Sequence, residues 1–183
     1  MKKLIFTAVF LILSTAIFAQ TFMTRTGKIS FNATTPGSPE KIEGINNEVA
    51  NIIDAKTGNI VFQLPVKSFK FERELMQEHF NENYMESDKY PRAEFKGAIT
   101  NMNEVNFDKD GTYNAKVTGK LTIHGATKEI TVPGTISVKG NTLKATTRFS
   151  IKLQDYNITV PGVVADKIAK DAIIKLESDL VKK

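Results

Sequence analysis

Residues 111–151 read GTYNAKVTGKLTIHGATKEITVPGTISVKGNTLKATTRFSI. Apolar and polar residues alternate here through three successive strands, and that period of two decides the fold. Tyr113, Ala115, Val117, Gly119, Leu121 and Ile123 share one face of the first strand, with Lys116, Thr118, Lys120, Thr122 and His124 opposite. A turn at Gly125–Ala126 leads to a second strand with Ile130, Val132, Gly134, Ile136 and Val138 on one face. Lys139-Gly140-Asn141 is a hairpin signal, and the third strand sets Leu143, Ala145, Thr147, Phe149 and Ile151 together. Period two sustained over this length predicts an antiparallel meander with one solvated face.

Weaker strands surround it. Gly27–Ala33 aligns Ile29 with Phe31. Glu48–Ala55 is apolar on both faces, so its phase is open. Asn59–Val66 aligns Ile60, Phe62, Leu64 and Val66. Ala93–Ile99 carries Phe95 and follows Tyr90-Pro91, and Ala172–Leu180 aligns Ile174, Leu176 and Leu180. Eight strands with little helix, no internal repeat and no low-complexity linker predict one all-β domain. An eight-stranded antiparallel barrel removes the sheet edges; a two-sheet sandwich is the alternative.

Several inward positions are small: Ala115, Gly119, Gly134, Ala145 and Thr147. A filled core places more bulk there, so small residues suggest a lumen. The other reading is that each small residue faces a large one or marks a bend. Strands of about eleven residues span ~36 Å, or ~28 Å along an axis tilted by about 40°. A lumen of that length would house an extended lipid tail. Its expected strand lining is Phe31, Phe62, Leu64 and Phe95, with Val117, Gly119, Leu121, Ile136 and Phe149 from the meander. Gly119 matters most, since its missing side chain should open into the hollow. Glu72–Phe80 reads as a short helix across the barrel mouth, and its face of Leu75, Met76, His79 and Phe80 adds Leu75, Met76 and Phe80 to the lining.

The chain has 183 residues, enough for one sizeable core. Lys2 and Lys3, the apolar run Leu4–Leu13 and the small residues up to Ala19 have the layout of a secretory signal peptide. Residues 1–19 are expected to be removed, leaving a domain over 20–183 in the periplasm or outside the cell. A transmembrane anchor is the alternative, but the run is short and small residues follow it. There is no cysteine, which excludes disulfides, thiol chemistry and a lipoprotein anchor. Without the leader, 23 basic residues stand against 20 acidic ones, interspersed in sign. That reads as a solvated surface and argues against nucleic acid. The small positive excess is compatible with transient contact at an anionic membrane, and a homodimer is left open.

The stretch His79–Gly97 gathers a histidine, acids, tyrosines and an arginine. Its acids share no consistent face and lie in a solvated loop, so they lack the split environments that acid–base pairs need. His79 and His124 are the only histidines and are far apart in sequence, without metal-ligand spacing. No nucleophile elbow or phosphate loop occurs. Neither an enzyme, a metal site nor a cofactor is expected.

FNENYMESDKYPRAEFKG (80–97) followed by GKLTIHGATKEITVP (119–133) resembles the YceI-like family, exported lipocalin-like proteins that bind polyisoprenoid lipids. The resemblance runs from TRTGKISF (24–31) to the final strand. It implies an eight-stranded barrel around a long apolar pocket that holds an isoprenoid chain, such as that of a quinone or polyprenyl lipid, without catalysis. One departure stands out. Family members often carry Arg-x-[Phe/Tyr]-Gly near the end, where this chain has Gln154-Asp155-Tyr156-Asn157. Asn tolerates the left-handed turn, but the arginine is missing. The expected function is therefore a carrier for a long apolar lipid; a ligand-free structural or stress-response barrel with a solid core is the alternative.

Overall fold

The structure, a computed structural model, describes residues 20–183; the expected leader lies outside the described residues. Eight strands follow one another: β1 (Thr21–Thr34), β2 (Glu43–Asp54), β3 (Asn59–Pro65), β4 (Arg92–Ile99), β5 (Gly111–Ile123), β6 (Ala126–Lys139), β7 (Thr142–Lys152) and β8 (Ile168–Lys182). Each pairs antiparallel with the next, and β8 pairs back on β1. The sheet is a closed barrel and not a sandwich, so each strand has a partner on both sides.

The meander forms as its alternation predicts. β5 faces β6 without a slip from Gly111↔Val138 to Ile123↔Ala126. The turn between them is His124–Gly125, one residue earlier than expected. Both residues have positive φ, +50° and +73°, as a two-residue primed hairpin requires. The open phase of β2 has a cause as well. Gly44 and Asn46 are buried, then Val49, Asn51 and Ile53. The switch from even to odd positions accompanies a register shift against β1 between Gly27 and Ile29, a bulge that moves one extra residue past its partner.

The far half of the barrel is filled. Phe22, Ile53, Leu143 and Leu180 are almost wholly buried there, and Phe107 packs on Phe22 with ring centroids 6.2 Å apart. Midway, Phe62 and Phe95 stack at 5.3 Å. Ala115, Gly134, Ala145 and Thr147 surround the same space as Phe62, Phe95 and Phe149, where only about 60 Å³ stays open. The small residues therefore make room for rings, and the full-length lumen inferred from them is corrected. Gly119 is corrected with them. It sits opposite Gly97, and a Cβ on Gly119 would lie 2.4 Å from both the Gly97 Cα and the Lys96 carbonyl and 2.7 Å from Phe95 Cζ. No hollow opens at Gly119: two backbones approach closely there, and the Phe95 ring covers both glycines.

At the other end, the mouth, strand pairing is incomplete. β2 and β3 pair only over Ala50–Ile53 and Ile60–Gln63. Beyond that, residues 66–71 complete the wall. Ile45 and Lys70 exchange backbone hydrogen bonds of 2.9 and 2.7 Å, and the Asn46 side chain donates to the Pro65 carbonyl at 2.8 Å. β6 and β7 part after Gly134↔Thr147, where the Thr147 hydroxyl donates to the Pro133 carbonyl at 2.6 Å. Residues 153–158 pack into this second seam, burying Tyr156 and Ile158. Asn157 adopts the left-handed conformation, φ +58°, so the turn survives without glycine.

Candidate functional site

One short helix, α1 (Glu74–His79), lies between β3 and β4. It is shorter than its sequence face suggested, because Phe80–Tyr84 continues as a single wide turn of π type. Met85 N–H donates to the Phe80 carbonyl at 2.9 Å. This widened turn helps direct Phe80 and Tyr84 into the barrel mouth, where both line a cavity of about 320 Å³.

The cavity wall is aromatic and aliphatic. Phe31, Phe69, Phe71 and Phe80 form one cluster, with Phe31 and Phe80 stacked at 5.3 Å and Phe71–Phe80 centroids at 4.9 Å. Phe62 closes the floor, and Leu64, Leu121, Ile123, Phe149 and Ile174 rise around it. Burial pushes the Tyr84 phenol above its ordinary range, so it stays neutral. Charge is confined to the rim. Among the described lining residues, Glu40, Arg73 and Lys167 are the charged ones, and His79 also lines the cavity. Arg73 Nη1 donates to Glu40 at 2.6 Å, and Lys167 Nζ donates to the other Glu40 oxygen at 3.2 Å.

Of the expected lining, Phe31, Phe62, Leu64, Leu75, Met76, Phe80, Leu121 and Phe149 meet around this cavity. Phe95, Val117 and Ile136 instead border the small central space, and Gly119 borders neither. Sequence reading missed Phe69 and Phe71, although Ser68-Phe69-Lys70-Phe71 alternates; the run is too short to read as a strand. It also missed Glu40, Arg73 and Lys167, which come together from three separate segments.

The two histidines do not share a site. His79 lines the mouth cavity. His124 is buried in its turn, its Nε2 2.8 Å from Glu86 and its Nδ1 3.2 Å from the Tyr156 carbonyl, with Tyr90 edge-on at 4.6 Å. It ties the 79–97 stretch and the 153–158 segment to the β5–β6 hairpin. Among the described residues no group of three or more His, Cys, Asp or Glu could hold a metal ion, and no helix is long and apolar enough to cross a membrane.

A closed eight-stranded antiparallel barrel, open at one end over an apolar pocket, is the architecture of a lipocalin-like protein. The family model for the YceI-like domain matches residues 20–180, and the chain belongs to that family. Solved structures share the fold. A polyisoprenoid binding domain from Saccharophagus degradans, implicated in plant cell wall breakdown, superposes with a TM-score of 0.76 at 11% identity, covering 90% of this chain and 99% of that one. BcnA of Burkholderia cenocepacia gives 0.68 at 23% identity, covering 85% and 96%. The YCEI protein of Campylobacter jejuni gives 0.55 at 17%, covering 79% and 88%. No curated protein matches significantly.

Proposed function

We propose that this barrel is a non-catalytic carrier or sequestering protein for a lipid with a long apolar tail, of polyisoprenoid or quinone type, working in the periplasm or outside the cell after loss of residues 1–19. The observation that carries this reading is the mouth cavity of about 320 Å³, walled by rings and aliphatic side chains with charge only on its rim. That volume lies at the lower end of ligand pockets. Each methylene buried contributes roughly 0.8 kcal/mol before association costs, so a tail can supply the affinity. The polyisoprenoid binding domain of the same fold supports the choice of tail.

In this reading Phe31, Phe62, Leu64, Leu75, Met76, Phe80, Leu121 and Phe149 touch the tail, whereas Phe95, Val117, Gly119 and Ile136 do not. The filled far half limits how deep the tail goes; a longer tail would leave through the mouth. Leu75 and Val163 stand 53% and 88% exposed near that mouth, which suits brief contact with a membrane during loading. The cavity is complete within one barrel and needs no second copy. The filled far half also favours the competing reading, a ligand-free structural barrel. Lipid extraction from protein purified from an exporting host, followed by mass spectrometry, separates the two. A stoichiometric lipid with an extended apolar tail is expected. Repeated extraction of none, together with no binding of added polyprenols or quinones, would overturn the carrier reading.

A further inference from the structure

We infer that the rim cluster Arg73–Glu40–Lys167 is a head-group site, and that the lipid it selects carries a single anionic oxyanion, a phosphate or a carboxylate. The inference rests on the carrier reading and adds the class of head group. Three segments far apart in sequence converge on it: the β1–β2 loop brings Glu40, the residue before α1 is Arg73, and the segment before β8 brings Lys167. Glu40 takes one hydrogen bond from each cation, at 2.6 and 3.2 Å. It thereby fixes both cations at the edge of an apolar cavity whose described lining is otherwise uncharged apart from the ionisable His79.

Among the charged residues of the cavity lining, two cations stand against one carboxylate. Arg73 and Lys167 are also far from saturated. Guanidinium carries five N–H donors and ammonium three, and Glu40 engages one nitrogen of each. Their side chains are 62% and 49% exposed, so an incoming head group reaches them from solvent. Exposed ion pairs of this kind are weak, so an added oxyanion shares the cations without having to break a strong contact. A neutral hydroxyl or quinone oxygen also accepts from these cations, but it lacks the charge–charge attraction that an oxyanion adds.

Calorimetric titration with three ligands sharing one tail, farnesyl phosphate, farnesoate and farnesol, tests this below their aggregation concentrations. The two anions should bind on the order of tenfold more tightly than farnesol, a ratio equivalent to about 1.4 kcal/mol. The preference should shrink in about 0.5 M salt. In Arg73→Gln/Lys167→Gln the ratio should fall towards one. Lys144→Gln, which breaks the exposed pair with Glu177 on β7 and β8 near the filled end, should leave the ratio as it is. Phosphate favoured over carboxylate, or the reverse, identifies the head within the class. Equal binding of all three by the parent overturns the head-group site and leaves the carrier reading standing. A ratio that survives the double substitution, with only stability reduced, makes the cluster a structural latch between loops and also overturns it. Binding of none of the three overturns this inference, and the carrier reading is then decided by the lipid extraction and the binding of polyprenols or quinones.

Discussion

Gly119 shows how a residue read correctly for its face was read wrongly for its surroundings. Alternation places it in phase with Val117 and Leu121, and it is in phase with them. What sequence does not show is that Gly97 lies directly across, so that the missing Cβ brings two backbones together. Gly119→Ala puts a carbon 2.4 Å from main-chain atoms that cannot step aside, and it should destabilise by about 1–3 kcal/mol or more. Gly134→Ala, whose new Cβ would meet its nearest atom at 3.3 Å, should cost far less. Melting temperatures of the two variants check this, and equal melting would refute the close approach. Asp54 offers a second residue-scale test. The Thr57 hydroxyl, followed by the Lys56 amide, holds its carboxyl below the ordinary range. Its stabilising contribution is therefore present above the unfolded-state titration and lost as pH falls through the lower folded one. An NMR titration of Asp54 should show the depressed midpoint, and Asp54→Asn should remove this part of the acid sensitivity.

At the scale of elements, the stretch 79–97 is a seam. Its acids and histidine looked unlike a catalytic group in sequence, but their structural use was hidden, because Glu86 meets His124 only across 38 residues of chain. His124→Ala would leave the Tyr156 carbonyl and the Glu86 carboxylate without that partner and free two loops at once. The expected cost is about 1–3 kcal/mol, read by chemical denaturation, with lipid affinity changing only a few-fold. Loss of binding in a folded His124→Ala protein would give that histidine a direct role. Phe80 is the opposite case, since the helical period already put it on the right face. It stacks on Phe31 and contacts Phe69 and Phe71 over the cavity. Phe80→Ala should open the mouth and raise the ligand dissociation rate more than the association rate, measured by stopped-flow displacement. An unchanged dissociation rate would mean that the ligand does not pass beneath this ring.

Across the whole molecule, the hollow lies at one end and the packed core at the other. Ala93 tests that division, because it lines the cavity from β4. Ala93→Leu should keep or slightly raise the melting temperature, having room that a filled core would deny, and should weaken lipid binding several-fold by taking the same volume. A strongly destabilised variant would show that the mouth is packed more tightly than its geometry indicates. Sequence alone determined the antiparallel meander, because alternation of period two and turn chemistry are local and repeat along the chain; closure into a barrel and not a sandwich came with the pairing of β8 on β1. The helix face was determined by sequence for the same local reason. Where the barrel is empty was decided by tertiary structure. A cavity is a difference between the volume that strands enclose and the volume that side chains fill, and the side chains come from opposite walls. The small residues of β5, β6 and β7 are compensated by Phe62, Phe95 and Phe149 from across the barrel or along it. The large residues at the mouth surround open space because β2–β3 and β6–β7 part there and loops complete the wall. The charged rim belongs to the same class of fact: Glu40, Arg73 and Lys167 become neighbours only when the barrel closes.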